Sequence, residues 1–124
     1  MEHSDITGNI IGAAMRVHTT LGNGFQEVIY QRALEIELSH SQLTFEREKN
    51  LPIYYRDQKI GDRRVDFFVE GLVMVELKAI ITLDEAHLAQ AMNYLEAYNM
   101  KIGLLINFGA RSLEFKRLHN NKLT

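Results

Sequence analysis

The sequence predicts an α/β protein of the α+β kind, in which a mixed β-sheet is flanked by helices. Three observations predict this class. Two segments with apolar residues at helical spacing open the chain, strand-like alternation follows, and a third helical segment leads into a short apolar run. A length of 124 residues suits a single domain over residues 1–124.

Two helices are expected before the strands. In residues 5–21, apolar side chains recur at three- and four-residue steps, and Gly22 ends the segment as a residue that tolerates positive φ. Residues 26–39 carry a second apolar stripe. Glu27 falls in the first turn of this helix, where the helix dipole favours a carboxylate, so a structural role explains it as well as a functional one. Tyr30, one turn further on, is more typical of a core than of a site.

Residues 43–56 then alternate in the manner of a strand. Pro52 cannot donate a hydrogen bond to a neighbouring strand, so this segment is an edge strand or contains a bulge or a break. Asp57 begins a turn signal, and the next strand is expected to start near Ile60. These features predict an antiparallel strand at the margin of the sheet.

The next two strands are expected to form a hairpin around residues 70–71. Apolar residues alternate at odd positions on both strands, so burying both sets on one side of the sheet places Phe67 opposite Val75. A two-residue turn would shift the pairing by one residue and turn the side chains to the wrong face. We therefore expect a three- or five-residue connection, or a bulge, in which Gly71 supplies the unusual backbone angle.

The same register gathers charged side chains on the other face of the hairpin. Asp66 lies opposite Glu76, and Lys78 shares the face of Glu76. Two opposed carboxylates either share a proton or hold a cation, and oxygen ligands without cysteine favour Mg²⁺ or Mn²⁺. Such an ion activates water, and a neighbouring lysine can orient that water or stabilise charge on a phosphate. These residue types at this spacing therefore suit phosphodiester hydrolysis.

A structural charge cluster explains the same residues equally well. Asp66 and Glu76 would then each pair with Arg64 or Lys78, and the pairs would stabilise the sheet without any ligand. The periodicity of the strands does not decide between this interpretation and a metal site.

A third helix is predicted from the capping box at residues 82–85 and runs to about Tyr98. Beside its apolar stripe, His87, Gln90 and Tyr94 form a second stripe at spacings of three and four residues. A polar stripe is usually a solvated face. Because this one directly follows the charged strand, it can lie along the edge of the same site.

Residues 102–107 form a short and nearly continuous apolar run. Such a run is typical of a strand buried on both faces, joined to the hairpin by a helical crossover that makes a parallel pair. Residues 112–118 predict a last strand, and residues 107–109 predict the junction between a strand and a turn.

The composition excludes several classes of protein. The absence of cysteine excludes disulfides and thiolate metal sites, and it fits a cytoplasmic location. The five histidines lack zinc spacing. No apolar run approaches the roughly 20 residues that span a bilayer, and no signal pattern opens the chain, so no membrane partner is expected. A net charge of -2 argues against bulk electrostatic capture of nucleic acid, which makes any such contact local or metal-assisted.

At the hairpin and the second helix the sequence resembles a known family. The arrangement Asp66…Glu76-x-Lys78 is similar to the motif of the PD-(D/E)xK nuclease superfamily, whose RecB-like members share further motifs with this chain. Residues 24–30 resemble the signature that names the GxxExxY protein family, a small-domain branch of that superfamily. The similarity continues through the strand beginning at Arg64, residues 75–79, residues 87–95 and residues 104–109.

The resemblance implies a restriction-endonuclease-like fold with an αβββαβ core, and a bound Mg²⁺ or Mn²⁺ as cofactor. It implies that Asp66 and Glu76 are metal ligands, with the carbonyl of Leu77 as a third. Glu27 matches the helix glutamate that reaches the metal in related nucleases, directly or through water. These four residues are the metal ligands that the sequence predicts.

The resemblance also assigns catalytic residues beyond the metal ligands. Lys78 matches the catalytic lysine. Gln90 and Tyr94 match the Gln-x-x-x-Tyr motif of the RecB-like nucleases, which is thought to contact the substrate or the metal shell. Val65 stands where a proline often precedes the first aspartate, and this departure is common in the superfamily.

The leading functional expectation is a metal-dependent nuclease that hydrolyses phosphodiester bonds of DNA, with RNA as the second substrate class. One alternative is a non-catalytic module that binds nucleic acid or protein, and another is a metal-dependent phosphohydrolase of nucleotides. A homodimer is expected because it would double a small DNA-contact surface. The candidate phosphate contacts are Arg63, Arg64, Lys101, Arg111, Lys116 and Arg117.

Overall fold

The computed structural model describes residues 3–123. In this part of the chain, three helices and five strands follow one another in the predicted order, which confirms the α+β class. The elements are α1 (Ser4–Leu21), α2 (Glu27–His40), β1 (Phe45–Tyr55), β2 (Gln58–Val69), β3 (Val73–Lys78), α3 (Glu85–Ala97), β4 (Ile102–Asn107) and β5 (Glu114–His119).

The strands form one mixed sheet whose spatial order equals their order in the chain. The pairs β1–β2, β2–β3 and β4–β5 are antiparallel, and β3–β4 is parallel. A parallel pair needs a crossover, and α3 supplies it, as predicted. β1 is an edge strand, which accommodates Pro52, and its register shifts between Ile53 and Tyr54.

Helices cover both faces of the sheet. α1 and α2 pack on one face against a core that includes Phe67, Val75 and Phe108. α3 packs on the other face against a smaller core that includes Met74 and Leu105. Within residues 3–123, no helix has the length and hydrophobicity needed to cross a membrane.

Tyr30 belongs to the core, as predicted. Its side chain is fully buried, and its ring stacks on Phe108 with the ring centroids 4.7 Å apart. Its hydroxyl donates to the carbonyl of Gly22 at 2.6 Å and accepts from the amide of Phe25 at 3.1 Å. Tyr30 therefore fixes the α1–α2 connection that leads into Glu27.

The β2–β3 hairpin has the predicted register at its closed end. Phe67 lies opposite Val75, and the three residues 70–72 connect the strands. Gly71 has a φ of 65°, as expected, and Glu70 also lies in the left-handed region with a φ of 56°.

Val65 departs from the predicted alternation. Although it is buried like Phe67, it packs in the core on the α3 side, whereas Phe67 packs on the side of α1 and α2. Glu48, on the neighbouring strand between the pairs Arg47–Phe67 and Lys49–Val65, has a φ of 55° and is not paired in the ladder. Glu48 and Asp66 are thus missing from the ladder as a pair, and the strands are distorted there without a shift in register.

The segment after β3 is fixed by a buried asparagine. The Asn107 side chain accepts from the amide of Ile80 and donates to its carbonyl, both at 2.9 Å. Gly109 lies against the same segment, where an added Cβ would stand 2.3 Å from the Ile80 carbonyl oxygen. The capping box of α3 is formed by Asp84 and His87, two residues beyond the predicted positions, because the Asp84 carboxylate reaches the His87 amide.

Candidate active site

Where β2 and β3 separate, the side chain of Asp66 accepts a hydrogen bond from the backbone of β3. The ladder between these strands ends at the Phe67–Val75 pair. Beyond it, the Asp66 Oδ2 atom accepts from the amide of Leu77 at 2.8 Å, and Oδ1 accepts from Gln31 Nε2 at 2.9 Å. The carboxylate thus joins β2, β3 and α2 at one point. Each oxygen still has a lone pair for a further ligand.

Glu76 faces this point from β3 and is only 4% exposed. Burial raises the pKa of Glu76 to about 9, and the negative charge of Asp66 and a hydrogen bond between the two carboxyl groups add to that rise. Its Oε1 atom has no hydrogen-bond partner within the described residues. The two carboxyl groups therefore meet across the hairpin, as predicted, and the raised pKa of Glu76 favours its protonated form when no cation is present.

A small cavity on the α3 side gathers the other predicted side chains. Tyr94 stacks under the Arg63 guanidinium, whose carbon lies 4.6 Å from the ring centre. The Arg63 Nη2 atom lies 3.6 Å from Glu76 Oε2, and its Nε atom is buried without a partner among the described residues. The side chains that line the cavity include Arg63, Glu76, Lys78, His87, Gln90 and Tyr94.

Glu27 lies beside Asp66 in a second cleft, on the α2 side of the site. It is the first residue of α2 and lines a cleft of about 260 Å³ with Asp66, Gln31 and Glu48. Partial loss of hydration raises the pKa of Glu27, the charge of Asp66 adds to the rise, and the charges of Lys78 and Arg63 oppose it. Glu27 is thus electrostatically coupled to the hairpin charges, although it does not line the small cavity that holds Glu76.

Gln31 and Arg47 belong to this site and were not predicted from the sequence. Gln31 is 5% exposed, and its Oε1 atom accepts from Arg47 Nη1 at 3.2 Å while its amide holds Asp66. Arg47 also pairs with Glu35 at 3.1 Å. Gln31 lies four residues after Glu27, on the same side of a helix, and this spacing was the available signal.

The site offers a divalent ion two opposed carboxylates but not a complete set of protein ligands. Within residues 3–123, no three acidic or histidine side chains already converge as a metal site. Mg²⁺ is commonly held by one or two carboxylates together with water and substrate phosphate. The orphan Oε1 atom of buried Glu76, opposite Asp66, fits that requirement. Leu77 lies between Glu76 and Lys78, and its amide is the group that contacts Asp66.

Comparisons with known proteins agree with this architecture. The family model of the PD-(D/E)XK nuclease superfamily matches residues 4–118. Among solved structures, the chain is similar to one described as "Crystal structure of SSO0001", with a TM-score of 0.61 and 18% identity over 75% of this chain. The chain covers 50% of the length of that solved chain, and so low an identity shows the fold alone. No curated protein matches the sequence.

Proposed function

This chain belongs to the PD-(D/E)XK nuclease superfamily, and on that premise we propose that it is a Mg²⁺- or Mn²⁺-dependent nuclease that hydrolyses phosphodiester bonds of DNA, with RNA as the second substrate class. Proteins of this superfamily are usually nucleases and generally use divalent metals. The fold of the chain is the one that such enzymes share.

The observation that carries the proposal is the carboxyl pair of Asp66 and Glu76. A buried acid with an unpartnered oxygen, held against a second acid, is costly in a protein without a ligand. A divalent cation would replace the proton between the two groups and satisfy the orphan oxygen. The Arg63 guanidinium lies 3.6 Å from Glu76 Oε2 and leaves Oε1 without a partner among the described residues, which supports a metal site over a structural charge cluster.

Within this proposal the metal-facing groups are Asp66 and Glu76, completed by Glu27 and the carbonyl of Leu77. A bound divalent ion supplies polarisation of a phosphoryl oxygen and a lowered pKa for a coordinated water. Glu27 shares a cleft with Asp66 that Glu76 does not line, so we propose that Glu27 acts at the edge of the site, through water or on the approaching substrate.

Lys78 is proposed to hold the attacking water and to stabilise charge on the phosphate. Its ammonium group has no hydrogen-bond partner among residues 3–123 and lines the cavity beside Glu76. Gln90 is exposed on α3, and in this proposal it contacts the substrate strand. Tyr94 supports the Arg63 guanidinium through its ring.

A cleavage assay with metal titration tests the proposal. Purified protein is incubated with single-stranded, duplex and branched DNA and with RNA, in Mg²⁺, in Mn²⁺ and in chelator. We expect metal-dependent cleavage of at least one substrate by the wild type, and loss of at least about a hundredfold in Lys78→Met. Absence of cleavage in every combination, with a folded protein, would contradict the proposal.

A non-catalytic nucleic-acid-binding or protein-interaction module is the second candidate. It is favoured by one observation, because both oxygens of Asp66 already accept hydrogen bonds and thus have a structural role. Calorimetry separates the two candidates. The nuclease takes up Mn²⁺ at this site, and the module takes up none.

Three finer assignments are part of the proposal. One is membership of the GxxExxY branch of the superfamily, which the resemblance of residues 24–30 to its signature supports. The absence of cysteine suits a cytoplasmic location. A homodimer would enlarge the surface available for DNA.

A further inference from the structure

The hairpin formed by β1 and β2 extends beyond the rest of the sheet. β2 pairs with β3 only from Phe67 to Val69, so the earlier part of β2 has β1 as its one neighbour. We call residues 53–64 the arm. Its tip is a tight turn in which Arg56 and Asp57 have φ values of 50° and 64°. From residue 54 to residue 64, every residue except Arg63 is exposed.

The arm presents large apolar side chains to solvent. Tyr54, Tyr55 and Ile60 are 61%, 66% and 66% exposed, respectively. A two-stranded ribbon gains little stability of its own from such residues in water. Aromatic rings on an exposed ribbon are instead suited to stacking on nucleobases, each stacked base contributing about 1–3 kcal/mol.

The arm is basic in a chain that is acidic overall. It carries four basic and two acidic residues, whereas the whole chain has 14 basic and 16 acidic ones. Lys59 pairs with Asp62 at 3.2 Å, and Arg64 lies close enough to the same aspartate to interact with it. Arg56, at the tip, has no partner among the described residues. A guanidinium without a carboxylate partner is well suited to bind a phosphate in two-point contact.

We propose that the arm binds the segment of a nucleic-acid strand that flanks the cleaved phosphate, with Arg56 and Arg64 on phosphates and with Tyr54 and Tyr55 against bases. This inference rests on the proposed nuclease function, because the cleaved phosphate defines where on the nucleic-acid strand the arm binds. The arm leads directly into the candidate site, because Asp66 lies on the same strand.

The length of the arm defines the bound segment. Asp66 is eight positions after Gln58, which in an extended strand is about 26 Å. Nucleic acid rises about 3.4 Å per nucleotide, so the strand from the tip of the arm to Asp66 reaches along roughly seven to eight nucleotides on one side of the site. The alternative partner of the arm is a second copy of the chain, and a measurement of oligomeric state distinguishes it from nucleic acid.

The test measures binding without cleavage. Fluorescence anisotropy is recorded in chelator with labelled single-stranded and duplex DNA and with single-stranded RNA, each of about 30 nucleotides, over a range of salt concentrations. The arm variant carries Arg56→Gln and Arg64→Gln. The matched control carries Arg32→Gln and Lys122→Gln, which change the net charge equally at exposed positions on α2 and near the C-terminal end.

We expect the arm variant to bind about tenfold more weakly at low salt. The slope of log K against log salt should fall by about 1.8 for duplex DNA or about 1.4 for a single strand, because two phosphate contacts are lost. The control should keep the slope of the wild type. Tyr54→Ser with Tyr55→Ser should weaken binding of single strands by about thirtyfold or more with no change in slope, because two stacked bases are lost and stacking releases no counterions.

Three results would overturn the inference. One is a wild type that binds none of the three probes. Another is an arm variant that keeps both the affinity and the slope of the wild type. The third is a change in oligomeric state by light scattering at unchanged affinity, which would assign the arm to a contact between copies. If the arm variants behave as expected and no metal supports cleavage, the proposed nuclease function fails while the arm inference stands.

Discussion

The carboxyl groups of Asp66 and Glu76 come together at the point where β2 and β3 part, and burial together with the negative charge of Asp66 raises the pKa of Glu76. Asp66 is held there by Leu77 and Gln31, so its position is fixed by the fold. Glu76 is buried, and its raised pKa favours the protonated form when no cation is bound. In the proposed nuclease, a divalent ion would compete with that proton.

The first prediction concerns pH and stability of the metal-free protein. The pKa of Glu76 is raised to about 9 in the folded state, against about 4.5 when unfolded, so the folded state binds the extra proton between these values. Its contribution to stability is complete below about pH 4.5 and is lost as the pH rises towards 9. Urea unfolding should show stability falling with pH, at up to about 1.4 kcal/mol per pH unit.

Glu76→Gln is the matched variant for this prediction, because glutamine has nearly the same shape and does not titrate in this range. Its free energy of unfolding should depend much less on pH than that of the wild type, and saturating Mg²⁺ should change it little. Parallel pH profiles for the two proteins would show that Glu76 is not the titrating group.

The second prediction separates the two roles of Asp66. Asp66→Ala leaves the Leu77 amide and the Gln31 side chain without their acceptor, and it should lower the free energy of unfolding by about 2–4 kcal/mol. Asp66→Asn keeps one acceptor and should cost less. Both variants should lose cleavage, as measured beside their urea unfolding curves. Full activity in Asp66→Asn would remove Asp66 from the metal site.

The third prediction concerns Tyr94 and Arg63. The Tyr94 hydroxyl has no partner within the described residues, and its ring supports the guanidinium at 4.6 Å. Tyr94→Phe should therefore keep kcat/KM within about threefold, while Tyr94→Leu and Arg63→Gln should each reduce it by a similar factor of about ten.

The double variant Tyr94→Leu with Arg63→Gln completes this test as a mutant cycle. If the ring acts through the guanidinium, the double variant should be no slower than the slower single variant. Independent, additive losses would instead indicate that Tyr94 contacts the substrate on its own account.

The fourth prediction concerns the segment that follows Lys78, at the end of β3. Gly109→Ala places a methyl group 2.3 Å from the Ile80 carbonyl oxygen and should lower stability by about 3 kcal/mol or more. Gly61→Ala is the control, because an added Cβ there meets nothing within 4 Å. Thermal unfolding compares the two, and equal melting temperatures would contradict the prediction.

Much of the fold was predictable because its periodicity is strict. The pairing of Phe67 with Val75 follows from alternation of period two, and the three-residue connection follows from that pairing. Val65 was assigned to the wrong face, because the distortion beside it involves Glu48 on the neighbouring strand. The apolar alternation of β2 alone does not reveal a conformation that the neighbouring strand imposes on it.

The charged residues of the site were predictable from the sequence, but the residues that hold them in position were less so. Asp66 and Glu76 stand out as carboxylates inside apolar strands, and the register brings them together. Gln31 reaches Asp66 from a position 35 residues away, and no local rule links the two. Arg63 was predicted only as a phosphate contact, whereas its place between Glu76 and Tyr94 depends on how α3 crosses the sheet. Long-range packing decides such contacts.

In the proposed nuclease, Asp66 and Glu76 together hold a divalent ion. Anomalous diffraction from a crystal soaked in Mn²⁺ would show that ion itself. We expect a manganese peak between the two carboxylates, lost in a Glu76→Gln crystal soaked in the same way. A site that stays without manganese at saturating Mn²⁺ would mean that the two carboxyl groups do not bind a divalent ion.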